Sequence, residues 1–307
     1  MRLTRTVGPA PLAIVLALSA GCSPKQIGFN RMADALTATA TSFSRDDDVE
    51  LVRSAAPSTL KLIEMVLDGQ PRHAGLLSVA CSGFTQYAYG FVQVDAEFAA
   101  DTNPALAADL RGRASRMYAR ARGYCLRAIE LRHANFAAAL AKDPAAAVAS
   151  LSAEDVAPLF WLGVTLGAGV SLADNPLPKL KDLVAARAIL ARALALNESW
   201  ERGAIHEALI AFEGLPPLLG GSVDRARRHF ERAVELSGGQ SAFAYVTMAS
   251  SVALAARDRG AFEKHLKSAL AIDVNRDPTL RLANLIAQKR ARYLLTKTSR
   301  LFADPAF

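Results

Sequence analysis

The chain has 307 residues, 51% of them apolar and 21% charged, which excludes a disordered polymer and a polytopic membrane protein and allows a large buried core. Alanine is abundant and β-branched residues rarely alternate with polar ones, so helix is favoured over strand. The formal charge of +7 lies in Arg/Glu mixtures, with no basic stripe carrying interleaved aromatics, and nucleic acid is not expected as a partner.

Arg2 and Arg5 form a basic n-region, and Pro11 to Leu18 an apolar stretch too short to span a bilayer comfortably. Leu18-Ser-Ala-Gly-Cys22 follows, and small residues immediately before a cysteine resemble the lipobox of bacterial lipoproteins. The expectation is a signal peptide over 1–21, acylation of Cys22, and a body facing an oxidising periplasmic space. An ordinary secretory signal with an incidental Cys22 is the alternative. Ser23 in place of aspartate resembles the outer-membrane sorting pattern. Cleavage would remove Arg2 and Arg5 with no acid, leaving +5. Residues 22–45, rich in Ala and Thr, read as a lipidated tether, and 46–307 as one helical domain.

Asp46 to Asp48 precede a helix that should run to Gly69, with Pro57 marking a break or a fresh start. Pro71 should open the next helix, carrying Leu76 to Val92. After a turn at Asp101 to Pro104, Ala105 to His133 reads as a long Arg-rich helix. A shorter helix, the Lys142-Asp-Pro turn and a start signal at Ser152 lead into Val156 to Ala173. That stretch has no charge and contains Gly163 and Gly167 at G-x-x-x-G spacing; Pro158, Thr165 and Ser171 interrupt it, so a buried helix is favoured over a membrane span. Helices follow over Leu180 to Leu196 and Trp200 to Glu213. Gly214-Leu-Pro-Pro-Leu-Leu-Gly-Gly then makes a fixed loop whose leucines plug the core or line an opening. Ser222 or Asp224 caps the next helix and Gly238-Gly239 closes it. Ser241 to Arg257 and Gly260 to Ile272 form a last hairpin. Residues 278–302 read as a terminal helix with Arg281, Lys289, Arg290, Arg292 and Arg300 outward.

One phrase recurs along these helices. From Ala226, Phe230 sits at +4, Ala233 at +7 and Leu236 at +10, on one face. The same grid fits Ala186, Leu190, Ala193 and Leu196; Ala121, Cys125, Ala128 and Leu131; and Phe262, Leu266, Ala269 and Ile272. The intervals from Ala186 to Ala226 and from Ala226 to Phe262 are near those of helical-hairpin repeats, while Ala121 to Ala186 is much longer and holds an insertion or a degraded repeat. The chain reads as an all-α, tetratricopeptide-like repeat solenoid in a right-handed superhelix.

Little of this carries chemistry. His206-Glu207 begins an H-E-x-x-H pattern, but position 210 is Ile, so the second zinc ligand is missing. No Ser-His-Asp set, P-loop or G-x-G-x-x-G assembles, and no cofactor, metal or catalytic residue is expected. Cys81 and Cys125 fall on apolar helix faces, where cysteine acts as a small hydrophobe; buried free thiols are expected, with a disulfide as the alternative.

From about Asp46 to Phe302 the chain resembles the TRAP transporter T-component family of lipoproteins. The residues that carry the resemblance are Tyr118 to Leu131, Phe160-Trp-Leu-Gly, Gly203-Ala-Ile-His206-Glu207-Ala-Leu and Leu215-Pro-Pro-Leu-Leu-Gly-Gly. Ala226 to Gly238, Asp258 with Phe262, Pro278-Thr-Leu-Arg281-Leu-Ala-Asn284 and Ala291-Arg-Tyr-Leu-Leu continue it. The resemblance implies a non-enzymatic partner of a TRAP periplasmic solute-binding protein, a pore or cleft within the helical body, a homotrimer, and a small, apolar ligand. The cavity would be lined by Phe160, Trp161, Val164, Leu166 and Leu172, by His206 and Glu207, and by Leu215, Pro216, Pro217 and Leu218. A scaffold lipoprotein for envelope assembly is the competing reading, and a hydrolase using His206 and Glu207 a third.

Overall fold

The computed structural model describes residues 32–37, 42–175 and 177–303; the expected signal peptide and Cys22 lie outside them. The described chain is all-helical. Within the expected tether, residues 32–37 are helical, and Ala33 and Leu36 are buried against the N-terminal core.

Helix α1, Val49–Gly69, starts on the Asp48 carboxylate, which accepts from the Glu50 and Leu51 amides. Pro57 does not break it. Val52, Ala56, Leu60 and Ile63 bury one continuous face through the proline, and that packing outweighs one lost backbone hydrogen bond. Pro71 does not open α2 either; His73 does, its ring nitrogen accepting from the Leu76 amide. α2 then runs Ala74–Tyr87, passes through a π-helical segment Ala88–Gln93, and continues as Val94–Ala99.

The long α3, Pro104–Glu130, is capped by Asn103 and packs along α2. Two short helices follow, α4 (Phe136–Lys142) and α5 (Pro144–Ala149), and then α6, Val156–Ser171. α6 is entered through a capping box in which Ser152 and Asp155 exchange hydrogen bonds. α6 packs on α7, Leu180–Leu196, and on α8, Ala204–Glu213. The glycines of α6 permit this. A Cβ at Gly163 would lie 2.7 Å from Leu190 Cγ, and one at Gly167 would lie 2.5 Å from Phe212 Cζ. No helix among the described residues is long and apolar enough to cross a membrane. The expected helix start at Trp200 is displaced: Glu201 and Arg202 take left-handed backbone conformations, and α8 begins at Ala204.

α9, Val223–Leu236, is capped by Ser222 and carries the repeated phrase, with Ala226 and Ala233 fully buried. α10 combines Ala242–Thr247 with a second π-helical segment, Met248–Ala253. α11, Arg259–Leu270, α12, Arg281–Thr296, and α13, Thr298–Leu301, end the described chain.

The helices α2/α3, α6/α7, α8/α9 and α10/α11 pair in sequence order, and alternate members touch: α2 with α6, α6 with α8, α8 with α10, α10 with α12. The last helix then returns to the first. Lys289 on α12 pairs with Glu50 on α1 at 3.2 Å, and Arg281 donates to the Arg45 carbonyl at 2.9 Å. Lys297 and Arg300 both hold Asp101, and Phe98 packs on Tyr293 with ring centroids 4.5 Å apart. This corrects the expectation of a solvated capping face: Arg290 turns inward, and Arg281, Lys289 and Arg300 fasten α12 and α13 to the N-terminal half.

A second correction concerns the cysteines. Cys81 on α2 and Cys125 on α3 form a disulfide and are fully buried. The apolar faces that favoured free thiols are the α2–α3 interface itself, which brings the two Cα atoms to 5.0 Å, within bridging reach.

Candidate functional site between two π-helical segments

The two π-helical segments are bridged by Arg290 of α12 at the end-to-start junction. Each widens its helix by one residue and alters which side chains face inward. Tyr89, in the first, lies edge-on to Phe243 of α10 with centroids 5.4 Å apart. The Tyr89 hydroxyl and the Ser250 hydroxyl, the latter in the second, both lie 3.4 Å from Nη1 of Arg290. Gly90 lets α12 come close, because a Cβ there would stand 3.0 Å from Ile286 Cδ1.

Arg290 is committed to a carboxylate. Its Nε and Nη2 donate to the two oxygens of Glu97 at 2.7 and 3.2 Å, a bidentate pair, while the Tyr293 hydroxyl donates to the Glu97 carbonyl at 2.9 Å. Burial works against the Arg290 charge, but Tyr89 and Glu97 outweigh it and raise the guanidinium pKa. Burial pushes the Tyr89 phenol up. Nearby, Tyr118 donates to the Gln93 side chain at 2.7 Å and fixes it.

Glu207 on α8 is a second deep polar group. Burial raises its carboxyl to about 7, against a weaker opposing pull from the Ser241 hydroxyl. Ser241 precedes α10, and Asn284 of α12 binds this junction from the other side, accepting from the Ala242 amide and donating to the Gln240 carbonyl, both at 2.8 Å. Tyr89, Glu207 and Arg290 lie deep within the molecule, yet each keeps part of its surface accessible.

The sequence profile of the TRAP transporter T-component family matches residues 45–302, which take in both π-helical segments and the junction. The chain belongs to that family. A T-component of this length has a relative in Treponema pallidum (strain Nichols), described only as uncharacterized, that is 27% identical over 308 residues, covering 94% of this chain and 95% of its own.

Of the side chains expected to line one cavity in this T-component, Phe160, Trp161, Val164, Leu166 and Leu215 share one apolar core, and the others lie apart from it. Phe160 is buried and packs on Trp161 and Trp200, with centroids 4.8 and 4.5 Å away. Leu166 is buried, and Val164 partly buried, in the same α6–α7 core. Leu172 packs on the N-terminal core and borders a cleft of about 420 Å³ with Arg111, Ser115 and Lys179. Leu215 and Leu219 plug the core from the loop, Pro216 and Pro217 are exposed, and Leu218 is 94% exposed.

His206 and Glu207, adjacent in sequence, part company. His206 turns to α9, its Nδ1 2.8 Å from Nδ1 of His229 and its Nε2 3.2 Å from Glu198, which Arg232 grips with two bonds at 2.8 Å. Burial lowers both imidazoles, His229 to about 4. Among the described residues no group of three or more His, Cys, Asp or Glu is placed to hold a metal.

Tyr89 and Ser250 were not legible as site residues because a π-helical segment leaves no pattern in hydrophobic spacing, and Glu97, Phe243 and Arg290 because they meet only through long-range packing. The available hint was Arg290 itself. It is followed at once by Ala291, which is fully buried, so it stands next to the packed face of α12.

Proposed function

We propose that this chain is an accessory lipoprotein of a TRAP-type solute-uptake system, held on the periplasmic face of the outer membrane through acylated Cys22. Its body associates with the periplasmic solute-binding protein and holds or relays a small solute, acting by binding and not by catalysis. The T-component match over residues 45–302 carries this reading. The buried Cys81–Cys125 disulfide supports the compartment, since such bonds persist in oxidising spaces and are rare in the cytosol.

In this reading the paired helices are tetratricopeptide-like, wound in a right-handed superhelix that closes on itself around a passage, and the proteins associate as homotrimers. Deep side chains that stay partly accessible, Tyr89, Glu207 and Arg290, support such a passage. Ligand sites are characteristically apolar with a few placed polar groups, and the interior around α8 and α10 has that composition. The test is co-sedimentation of the full-length protein with the solute-binding protein encoded beside it. A stable complex is expected; two independent species at every attainable concentration would sink the proposal.

A further inference from the structure

Glu207 has surroundings that a structural carboxylate would not need. α8 turns Ile205, Leu209 and Phe212 into the α6–α7 core, and Ile210 into the core shared with α9 and α10. His206 bonds His229. By helical spacing Glu207 shares its face with Ala204 and Ala208, which border the α6–α7 core, and with Ala211. Ala211 is exposed, and Glu207 and Ala208 are partly accessible, on a helix flanked by α6, α7, α9 and α10.

No charged group from those neighbours, or from the turn Trp200–Gly203 before α8, acts on Glu207: Arg202 pairs with Asp277 and Arg192 of α7 donates to the Leu151 carbonyl. α6 contains no titratable residue, and α10 contributes only the Tyr245 phenol, whose ring sits against Phe230 and His265. Arg187 of α7 and Arg225 of α9 are both bound to Glu213, at the far end of α8. His229 meets His206, and Arg232 meets Glu198. Arg290, the deep guanidinium of α12, is paired to Glu97. The Ser241 hydroxyl is the one side-chain partner that Glu207 shows among the described residues.

A carboxyl without a cation, set among small apolar side chains on a partly accessible inner face, is a preformed counter-ion. We propose that the solute held in the interior carries a protonated amine on a small apolar body, and that Glu207 is the group that binds its ammonium. This rests on the reading that the interior holds a solute. A carboxylate solute would meet a like charge and a guanidinium already engaged. An uncharged apolar one would strip water from Glu207 with no bond in return. Phe243, two residues after Ser241, lies edge-on to Tyr89, and aromatic rings of this kind favour organic cations.

The free-state chemistry adds a signature. With its carboxyl raised to about 7 by burial, empty Glu207 is partly protonated at neutral pH, and an ammonium beside it restores the anion. Binding an amine near pH 7 therefore releases protons, and binding an alcohol does not.

The experiment is calorimetric titration of the full-length protein with hexylammonium, 1-hexanol and hexanoate, repeated in buffers of different ionisation enthalpy. Hexylammonium is expected to bind at least about tenfold more tightly than hexanol, with proton release, as for one charged hydrogen bond. Hexanoate is expected to bind weakest. Glu207→Gln should erase the preference and the proton release while leaving hexanol binding in place. Glu207→Asp, which keeps the charge, should retain part of the preference; melting curves of both variants establish that they are folded. Equal binding of all three probes, or a preference that survives Glu207→Gln, overturns the role of Glu207 and leaves a solute-holding interior intact. Failure of every probe to bind, together with an intact complex with the solute-binding protein, overturns the ammonium site without touching the partnership.

Discussion

Glu207 sets an electrostatic cost that pH can read. Its carboxyl binds a proton more tightly in the folded chain than in the unfolded one, where it titrates near 4.5. The resulting stability is complete below that value and is lost as pH rises through about 7. Glu207→Gln removes the titration. The variant should melt with the wild type near pH 4 and be more stable by about 2 kcal/mol near pH 8, discounting for partial accessibility. Thermal melts across that range check it, and a pH-independent difference would show that burial of the charge is not the cause. Gly221 makes a different single-residue case. A Cβ there would overlap the Leu215 carbonyl oxygen, a backbone atom with nowhere to go. The loop is tied as well by the Ser222 amide to the Glu213 carbonyl at 2.8 Å and by Arg187 to the Leu219 carbonyl at 3.4 Å. Gly221→Ala should cost about 2–4 kcal/mol, measured by urea unfolding, and expose the loop to proteolysis.

Among the elements, the α2–α3 pair shows how far a sequence can be read. Most helices, the Ser152 and Ser222 caps, and the close approach at Gly163 and Gly167 followed from local rules, whereas the starts expected at Pro71 and Trp200 did not. The phrase grid also named residues that prove buried, including Ala121, Ala186, Ala233 and Phe262. What stayed hidden depends on pairing. Cys81 and Cys125 each looked like a small hydrophobe because each one's partner is the other, 44 positions away. Pro57 looked like a breaker because the tertiary packing that carries α1 through it is invisible locally. Glu207 was legible as a candidate, but its separation from His206 was not. The bridge itself makes a prediction. Closing a loop of that length removes unfolded-state entropy worth about 4 kcal/mol, so the Cys81→Ala, Cys125→Ala double variant should lose about 2–4 kcal/mol. Denaturation with and without reductant measures it. A wild type equally stable in reductant, with thiols titrating as free, would refute the bond.

For the whole molecule the decisive contacts join its two ends. Glu97 and Arg290 are 193 residues apart in sequence and share a bidentate pair beside Tyr89 and Ser250. Removing the carboxylate leaves a partly buried guanidinium without its partner, so Glu97→Ala should cost about 1–3 kcal/mol, more than an exposed pair such as Arg259 and Glu263. Hydrogen exchange should then show α12 and the first π-helical segment opening together, while α6 and α7 stay protected. Uniform loss of protection would mean that the junction is not a separable unit.

That junction also governs biogenesis. Its partners are made at opposite ends of synthesis, so a chain growing from its amino terminus must wait with Tyr89, Glu97 and Asp101 unmatched until Arg290, Lys297 and Arg300 arrive. Loss of those last helices would leave most of the hairpins able to form and the protein nonetheless unfinished, like a clasp with one half missing.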